Sequence, residues 1–148
     1  MPRVRLTPRP RYPHAVDLAV RTTDLNYGGH LGNDRLLSLL HEARVAFLAS
    51  EGWSELDVGG RSVIMADAAL MYRGEAFAGD VLRLETAPAE VERSGVRLCH
   101  RVTRPADGAL IALAETGLAG FDYQARRVAP WPDAVRARLE ALAAEADA

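Results

Sequence analysis

The chain contains no lysine: all 18 of its basic residues are arginine. Two readings of that absence stay open. One is the codon usage of a GC-rich genome, which abundant Ala, Gly and Pro also suit; the other is arginine used for planar phosphate recognition. Cysteine is scarce as well. The single thiol, Cys99, excludes an intramolecular disulfide framework and is compatible with a reducing, cytoplasmic location. Its place in an alternating apolar and polar run predicts a buried, inert thiol. No apolar run is long enough to span a bilayer, and no apolar segment follows the basic start Met1–Arg5. Neither a signal peptide nor a membrane span is therefore expected. Charge of one sign is also lacking. A net charge of −2 offers no electrostatic case for nucleic acid or an anionic membrane surface. Four histidines and one cysteine at scattered spacing carry no zinc signature, so no metal site is expected.

What remains is an ordinary globular composition, 49% hydrophobic and 26% charged over 148 residues. That length predicts one domain able to bury roughly 70% of its unfolded surface. Residues 1–13 carry Pro2, Pro8, Pro10 and Pro13 among arginines and read as an extended N-terminal arm. Residues 14–148 read as a single domain without internal repeat or linker.

Within it, His14–Thr22 alternates weakly as a strand. Asn33–Ser50 carries the strongest helical signal. Leu36, Leu40, Ala43 and Phe47 recur on one stripe, widened by Leu37 and Leu48; Asn33 is placed as N-cap and Gly52 as terminator. Four further strands are expected over Ser62–Arg73, Val81–Arg93, Val96–Arg104 and Leu110–Tyr123. A hairpin turn at Arg104–Gly108 joins the last two, and a closing helix runs from Pro132 to Ala144. The order predicts an α+β fold in which one long helix packs on an antiparallel sheet. One leucine-rich helix cannot cover both faces of a five-stranded sheet, so a homodimer or homotetramer is expected.

The most informative segment is Asp24-Leu25-Asn26-Tyr27-Gly28-Gly29-His30-Leu31-Gly32-Asn33. It feeds a Gly-rich, polar loop into a helix start, where unpaired N–H groups and a positive dipole end suit polarising a carbonyl or holding an anion. Gly28, Gly29 and Gly32 serve the backbone path and permit close approach of a ligand.

Three segments carry a family resemblance: the loop Asp24–Asn33, the run His41-Glu42-Ala43-Arg44, and Met71–Leu82 with its Tyr72, Ala78, Gly79-Asp80-Val81-Leu82 pattern. Over roughly residues 14–135 the chain resembles the hot-dog-fold acyl-CoA thioesterases, in the hydroxybenzoyl-CoA thioesterase-like branch. The resemblance implies a hot-dog fold, with an antiparallel sheet wrapped around the long central helix. It also implies hydrolysis of an acyl-CoA thioester to free acid and CoA, with no cofactor and acyl-CoA as the substrate. In that branch the second acid of the Asp-x-Asp motif is the catalytic carboxylate. Asn26 stands there in this chain, and an amide neither attacks as a nucleophile nor accepts a proton at neutral pH. The mechanism therefore does not carry over intact. The His-x-x-Asn spacing of His30 and Asn33 also resembles plant acyl-carrier-protein thioesterases, and Glu42 is the nearest match to the helix glutamate of another branch.

The candidate catalytic residues are thus Asn26, His30 and Glu42, and the candidate substrate-binding residues are Gly28, Gly29, Gly32 and Asn33. His30 reads either as a general base or as a histidine bonding loop backbone. Asn26 orients water or substrate, or occupies a left-handed turn position. Glu42 is a base or an exposed helix glutamate; Asp24 is a base or a turn cap. The replacement of acid by Asn26 leaves a second function open, a non-catalytic acyl-CoA-binding hot-dog protein.

Overall fold

A computed structural model describes residues 1–148. The long helix α1 spans Asn33–Ser50, the residues its apolar stripe marks out. Leu36, Leu39, Leu40, Ala43, Phe47 and Leu48 are buried along it. Each leucine or phenylalanine so removed from water contributes roughly 1.5–3 kcal/mol. The helix ends in a Schellman motif. Gly52, at φ 77°, donates its N–H to the Ala49 carbonyl at 3.0 Å, and Trp53 donates to Leu48 at 2.8 Å. At the other end the cap differs from the expectation. Gly32, in extended backbone, is the N-cap, and Asn33 is the first helical residue. The Asn33 Oδ1 reaches only the neighbouring Asp34 N–H, at 3.0 Å.

Strands β1 (His14–Ala19), β2 (Ser62–Tyr72), β3 (Val81–Ala89), β4 (Gly95–Arg104) and β5 (Ala109–Asp122) lie in the order β1-β3-β4-β5-β2, all antiparallel. A sixth strand, β6 (Arg127–Val128), pairs with β5. It is not foreseen from the sequence because two residues carry no periodicity. Strand β1 stops short of its expected end, since Thr22–Asp24 winds into one 3-10 turn closed by the Asp24 carboxylate. The architecture is the expected α+β hot-dog: one sheet wrapped around α1.

Alternation decides what faces the helix. Leu82 and Leu84 of β3, Val102 of β4, and Ala112 and Ala114 of β5 join Leu36, Leu39 and Leu40 in one apolar cluster. Helix α2 (Asp133–Asp147) contributes Val135, Leu139 and Leu142 to a second cluster with Phe47, Leu98, Leu118 and Trp131. Between the two clusters, on the same face of the sheet, runs a buried polar row: Thr86, His100 and Thr116, each at most 1% exposed. The His100 ring is hydrogen-bonded through Nδ1 to Thr86 at 3.0 Å and through Nε2 to Thr116 at 3.4 Å.

Two bulges interrupt the ladders, one midway along β2 and one near the start of β5, the end that faces the loop. Met65 pairs with Leu118 and Asp67 with Gly117, so Ala66 is an extra residue in β2. Val102 pairs with Ala112 and Thr103 with Leu110, which leaves Ile111 extra in β5. The carbonyl of Ile111 accepts from both Arg73 at 2.9 Å and Gly74 at 3.1 Å, and so fixes the path of the chain as it leaves β2. Residues 1–13 form no helix or strand. Arg11 donates to the Ala146 carbonyl at 3.1 Å, and the Arg101 guanidinium lies 4.8 Å over the Tyr12 ring.

Candidate active site

The Gly-rich loop is built around one side chain. Asn26 Oδ1 accepts the N–H of Gly28 at 2.9 Å and of His30 at 3.4 Å, while the Asn26 N–H donates to the His30 carbonyl at 2.8 Å. The left-handed position in this turn is Gly29, at φ 82°, and not Asn26. Gly28 is needed for space. A Cβ there would stand 3.3 Å from both His30 Nε2 and Asn26 Oδ1. Asp24, 1% exposed, accepts the Arg21 N–H at 2.8 Å and its guanidinium at 3.1 and 3.2 Å, which hold the carboxyl below its ordinary range. It acts as the cap of its own turn and lies outside the cleft.

The loop and the segment after β2 form the two walls of a cleft of about 350 Å3. Asn26, His30 and Asn33 lie on one side, and Tyr72, Gly74 and Glu75 on the other. The walls are tied together. Leu31 donates to the Ala76 carbonyl at 2.7 Å, and the Tyr72 hydroxyl donates to the Asn33 carbonyl at 2.6 Å. Arg104 holds the far wall through the Glu75 carbonyl at 2.9 Å and the Asp80 carboxylate at 3.0 Å.

Two features of the cleft carry chemistry. Arg35 and Leu36 donate to the Gly32 carbonyl and Asp34 to Asn33 Oδ1, but the Asn33 N–H has no hydrogen-bond partner. It is a free donor at the positive end of an 18-residue helix. The second feature is the orientation of His30. Its Nδ1 lies 3.3 Å from the Leu31 carbonyl, an acceptor, so in the neutral ring Nδ1 carries the hydrogen and Nε2 the lone pair.

The structure therefore brings Asn26, His30 and Asn33 into one cleft, with Gly28, Gly29 and Gly32 shaping its loop. Glu42 is elsewhere: an exposed residue on the flank of α1, its charge felt by Arg21. Tyr72 entered the sequence reading only as part of the family pattern in Met71–Leu82, with no role assigned, and Glu75 was not singled out; the structure packs this segment closely, a Cβ on Gly74 coming within 3.0 Å of the Leu110 carbonyl. Further along α1 a second cleft, of about 240 Å3, runs from Asp34 to Arg44.

Comparison with known proteins adds a family to this geometry. The model of the thioesterase-like superfamily matches residues 20–139. A betainyl-CoA thioesterase of Pseudomonas aeruginosa is 28% identical over 121 residues, 80% of this chain and 76% of that protein. A Thermus thermophilus thioesterase, solved with coenzyme A and zinc, superposes with a TM-score of 0.77 at 28% identity, covering 90% of this chain and 96% of that one. A 1,4-dihydroxy-2-naphthoyl-CoA thioesterase from Synechocystis shares the fold with a TM-score of 0.77 at 21% identity, covering 86% and 96% of the two chains.

Proposed function

The chain belongs to the thioesterase-like superfamily and is an acyl-CoA thioesterase; from that premise we propose that Asn33, His30 and Asn26 are its working residues. The observation that carries the assignment is the unpartnered Asn33 N–H sharing a cleft with the lone-pair nitrogen of His30. With the thioester oxygen on the Asn33 N–H, His30 Nε2 takes a proton from water as the water oxygen bonds to the carbonyl carbon. The negative charge that develops on the carbonyl oxygen is held by the helix terminus, a donor worth about 3 kcal/mol when preorganised. Collapse breaks the carbon–sulfur bond, and the proton on His30 passes to the leaving thiolate, giving free acid and CoA.

Asn26 has a supporting part in this scheme. Its Oδ1 is committed to the loop backbone, so the free end is the Nδ2 amide, a donor that holds water by its oxygen and takes no proton. Glu75, on the opposite wall, is the one carboxylate lining this cleft. The test is hydrolysis of short, long and aromatic acyl-CoAs by the wild type and by His30→Ala. The assignment requires wild-type turnover and a loss of at least about 10²-fold in the variant. Retention of full activity by His30→Ala overturns it.

We further propose a homodimer or homotetramer in the cytoplasm. Strand β2 supports the assembly: it is the last strand on its side of the sheet, with Met65–Ala68 exposed. The cytoplasmic part rests on the acyl-CoA substrate and the lone thiol, and no helix is long and apolar enough to cross a membrane. Sedimentation equilibrium showing a monomer at micromolar concentration contradicts the assembly.

A further inference from the structure

The second cleft begins at Asp34, next to the free Asn33 amide, and follows α1 toward its C-terminus. The ten steps along the helix from Asp34 to Arg44 correspond to about 15 Å. Leu37 and Leu40 give it apolar walls. Its far end is not apolar. Arg44, with a side chain 10% exposed, stands there with Met65 and the Thr116 hydroxyl.

The guanidinium is incompletely paired. Its Nε and Nη2 both address a single oxygen, Oε2 of Glu55, at 3.0 and 2.9 Å. The other Glu55 oxygen is taken by His41 Nε2 at 2.7 Å. Arg44 Nη1 is left with the Met65 thioether at 3.8 Å, a weak acceptor. A nearly buried, charged donor with no oxygen partner is unfavourable, and the cleft is the space from which an acceptor can reach it.

The Thr116 hydroxyl is held in place from behind. His100 lies between Thr116 and Thr86, and burial together with the Arg44 charge lowers its pKa to about 4, so the ring stays neutral. One ring nitrogen donates and the other accepts: with Nε2 donating, the Thr116 O–H is free to donate into the cleft, and with Nε2 accepting, the Thr116 oxygen takes a hydrogen bond from a ligand hydroxyl. The polar row across the core thus ends as the floor of the cleft, one side chain from Arg44.

We propose that Arg44 and Thr116 read an oxygen acceptor at the far end of the acyl group, so that the enzyme prefers ω-oxygenated acyl-CoAs to plain fatty ones. The inference rests on hydrolysis at the Asn33 and His30 cleft, since that sets where the acyl group enters. An apolar body lies along Leu37 and Leu40, and a terminal hydroxyl or carboxylate completes the coordination of Nη1. A plain methyl end displaces water from the guanidinium and returns no hydrogen bond.

The test compares kcat/KM for three thioesters at octanoyl and dodecanoyl length: the plain acyl-CoA, its ω-hydroxy form, and the mono-CoA thioester of the corresponding dicarboxylic acid. At one length or both, an oxygenated form is expected to exceed the plain one by at least about tenfold. Comparing hydroxyl with carboxylate tells which end is read, the Glu55 charge opposing the carboxylate. Thr116→Val, nearly isosteric, is expected to cut the oxygenated-to-plain ratio several-fold. Arg44→Met combined with Glu55→Gln, which removes both charges together, is expected to abolish the preference. Hydrolysis of plain acyl-CoA at a kcat/KM equal to or above both oxygenated forms overturns this inference and leaves the hydrolase intact. A ratio unchanged in both variants overturns it as well. Hydrolysis of none of the six compounds counts against the acyl-CoA reading itself, and the inference falls with it.

Discussion

The Tyr72 hydroxyl donates to the Asn33 carbonyl across 2.6 Å, joining the last residue of β2 to the first residue of α1. These positions are 39 residues apart in the chain. Asn33 is also the residue whose N–H is free to meet a substrate carbonyl, so the hydrogen bond fixes the peptide next to the proposed oxyanion donor. Burial and the nearby Asp34 charge raise the Tyr72 pKa, so the phenol remains protonated and able to donate at neutral pH.

Tyr72→Phe should therefore lower both stability and turnover. Loss of one hydrogen bond predicts destabilisation of about 0.5–1.5 kcal/mol by urea titration. A misplaced Asn33 amide should reduce kcat up to about tenfold. A Tyr72→Phe enzyme with the stability and kcat of the wild type would show that the contact positions nothing.

Asn26 and His30 separate by their roles. His30→Ala should reduce kcat at least about 10²-fold, as removal of a general base does. Asn26→Ala should cost less, because the amide holds the loop backbone and positions water but takes no proton. Asn26→Asp restores the carboxylate that the resemblance leads one to expect at this position. With the loop bonds to Gly28 and His30 kept, it should equal or exceed the parent on at least one acyl-CoA. Gain of activity from an inactive parent would identify the natural protein as a binder.

His100 predicts an acid-sensitive core. Its pKa is ordinarily 6.5 and falls to about 4 in the fold, so the unfolded chain binds the extra proton first. Stability from keeping the ring neutral is fully present above pH 6.5 and is lost as pH falls toward 4. The loss amounts to about 3 kcal/mol. Urea midpoints measured from pH 7 to 4 should show this decline, and His100→Gln should flatten it. Equal slopes for the two proteins would refute the assignment.

Cys99 should resist alkylation. The thiol is 7% exposed, and burial, with the Glu115 charge, raises its pKa to about 11. At pH 8 the thiolate fraction is small. Iodoacetamide should label the native protein slowly and the urea-unfolded chain rapidly; fast native labelling would contradict the buried placement.

Helix α1 and its Gly52 terminator were legible because a single apolar stripe repeats over five turns and a positive φ selects glycine. Strands β2 to β5 were legible from alternation, to within a few residues at their ends. The cap was misassigned because Asn33 and Gly32 are adjacent and both acceptable there; the backbone at Gly32 decides between them. In the site, the loop from Asp24 to Asn33 announced itself through its glycines. Tyr72 stood out only as a residue of the family pattern and Glu75 not at all, because their importance comes from facing that loop across a cleft.

By itself the sequence determined everything that depends on local periodicity and backbone preference: one long helix, an antiparallel sheet and a Gly-rich loop at a helix start; the family resemblance added that Asn26 stands where an acid was expected. Only the tertiary structure decided which of the candidate side chains meet. It gathered Asn26, His30 and Asn33 with Tyr72 and Glu75, left Glu42 on an outer flank, and aligned Thr86, His100 and Thr116 with Arg44. The physical reason is strand pairing and register. These residues come together through non-local pairings and through bulges at Ala66 and Ile111, which local composition does not encode.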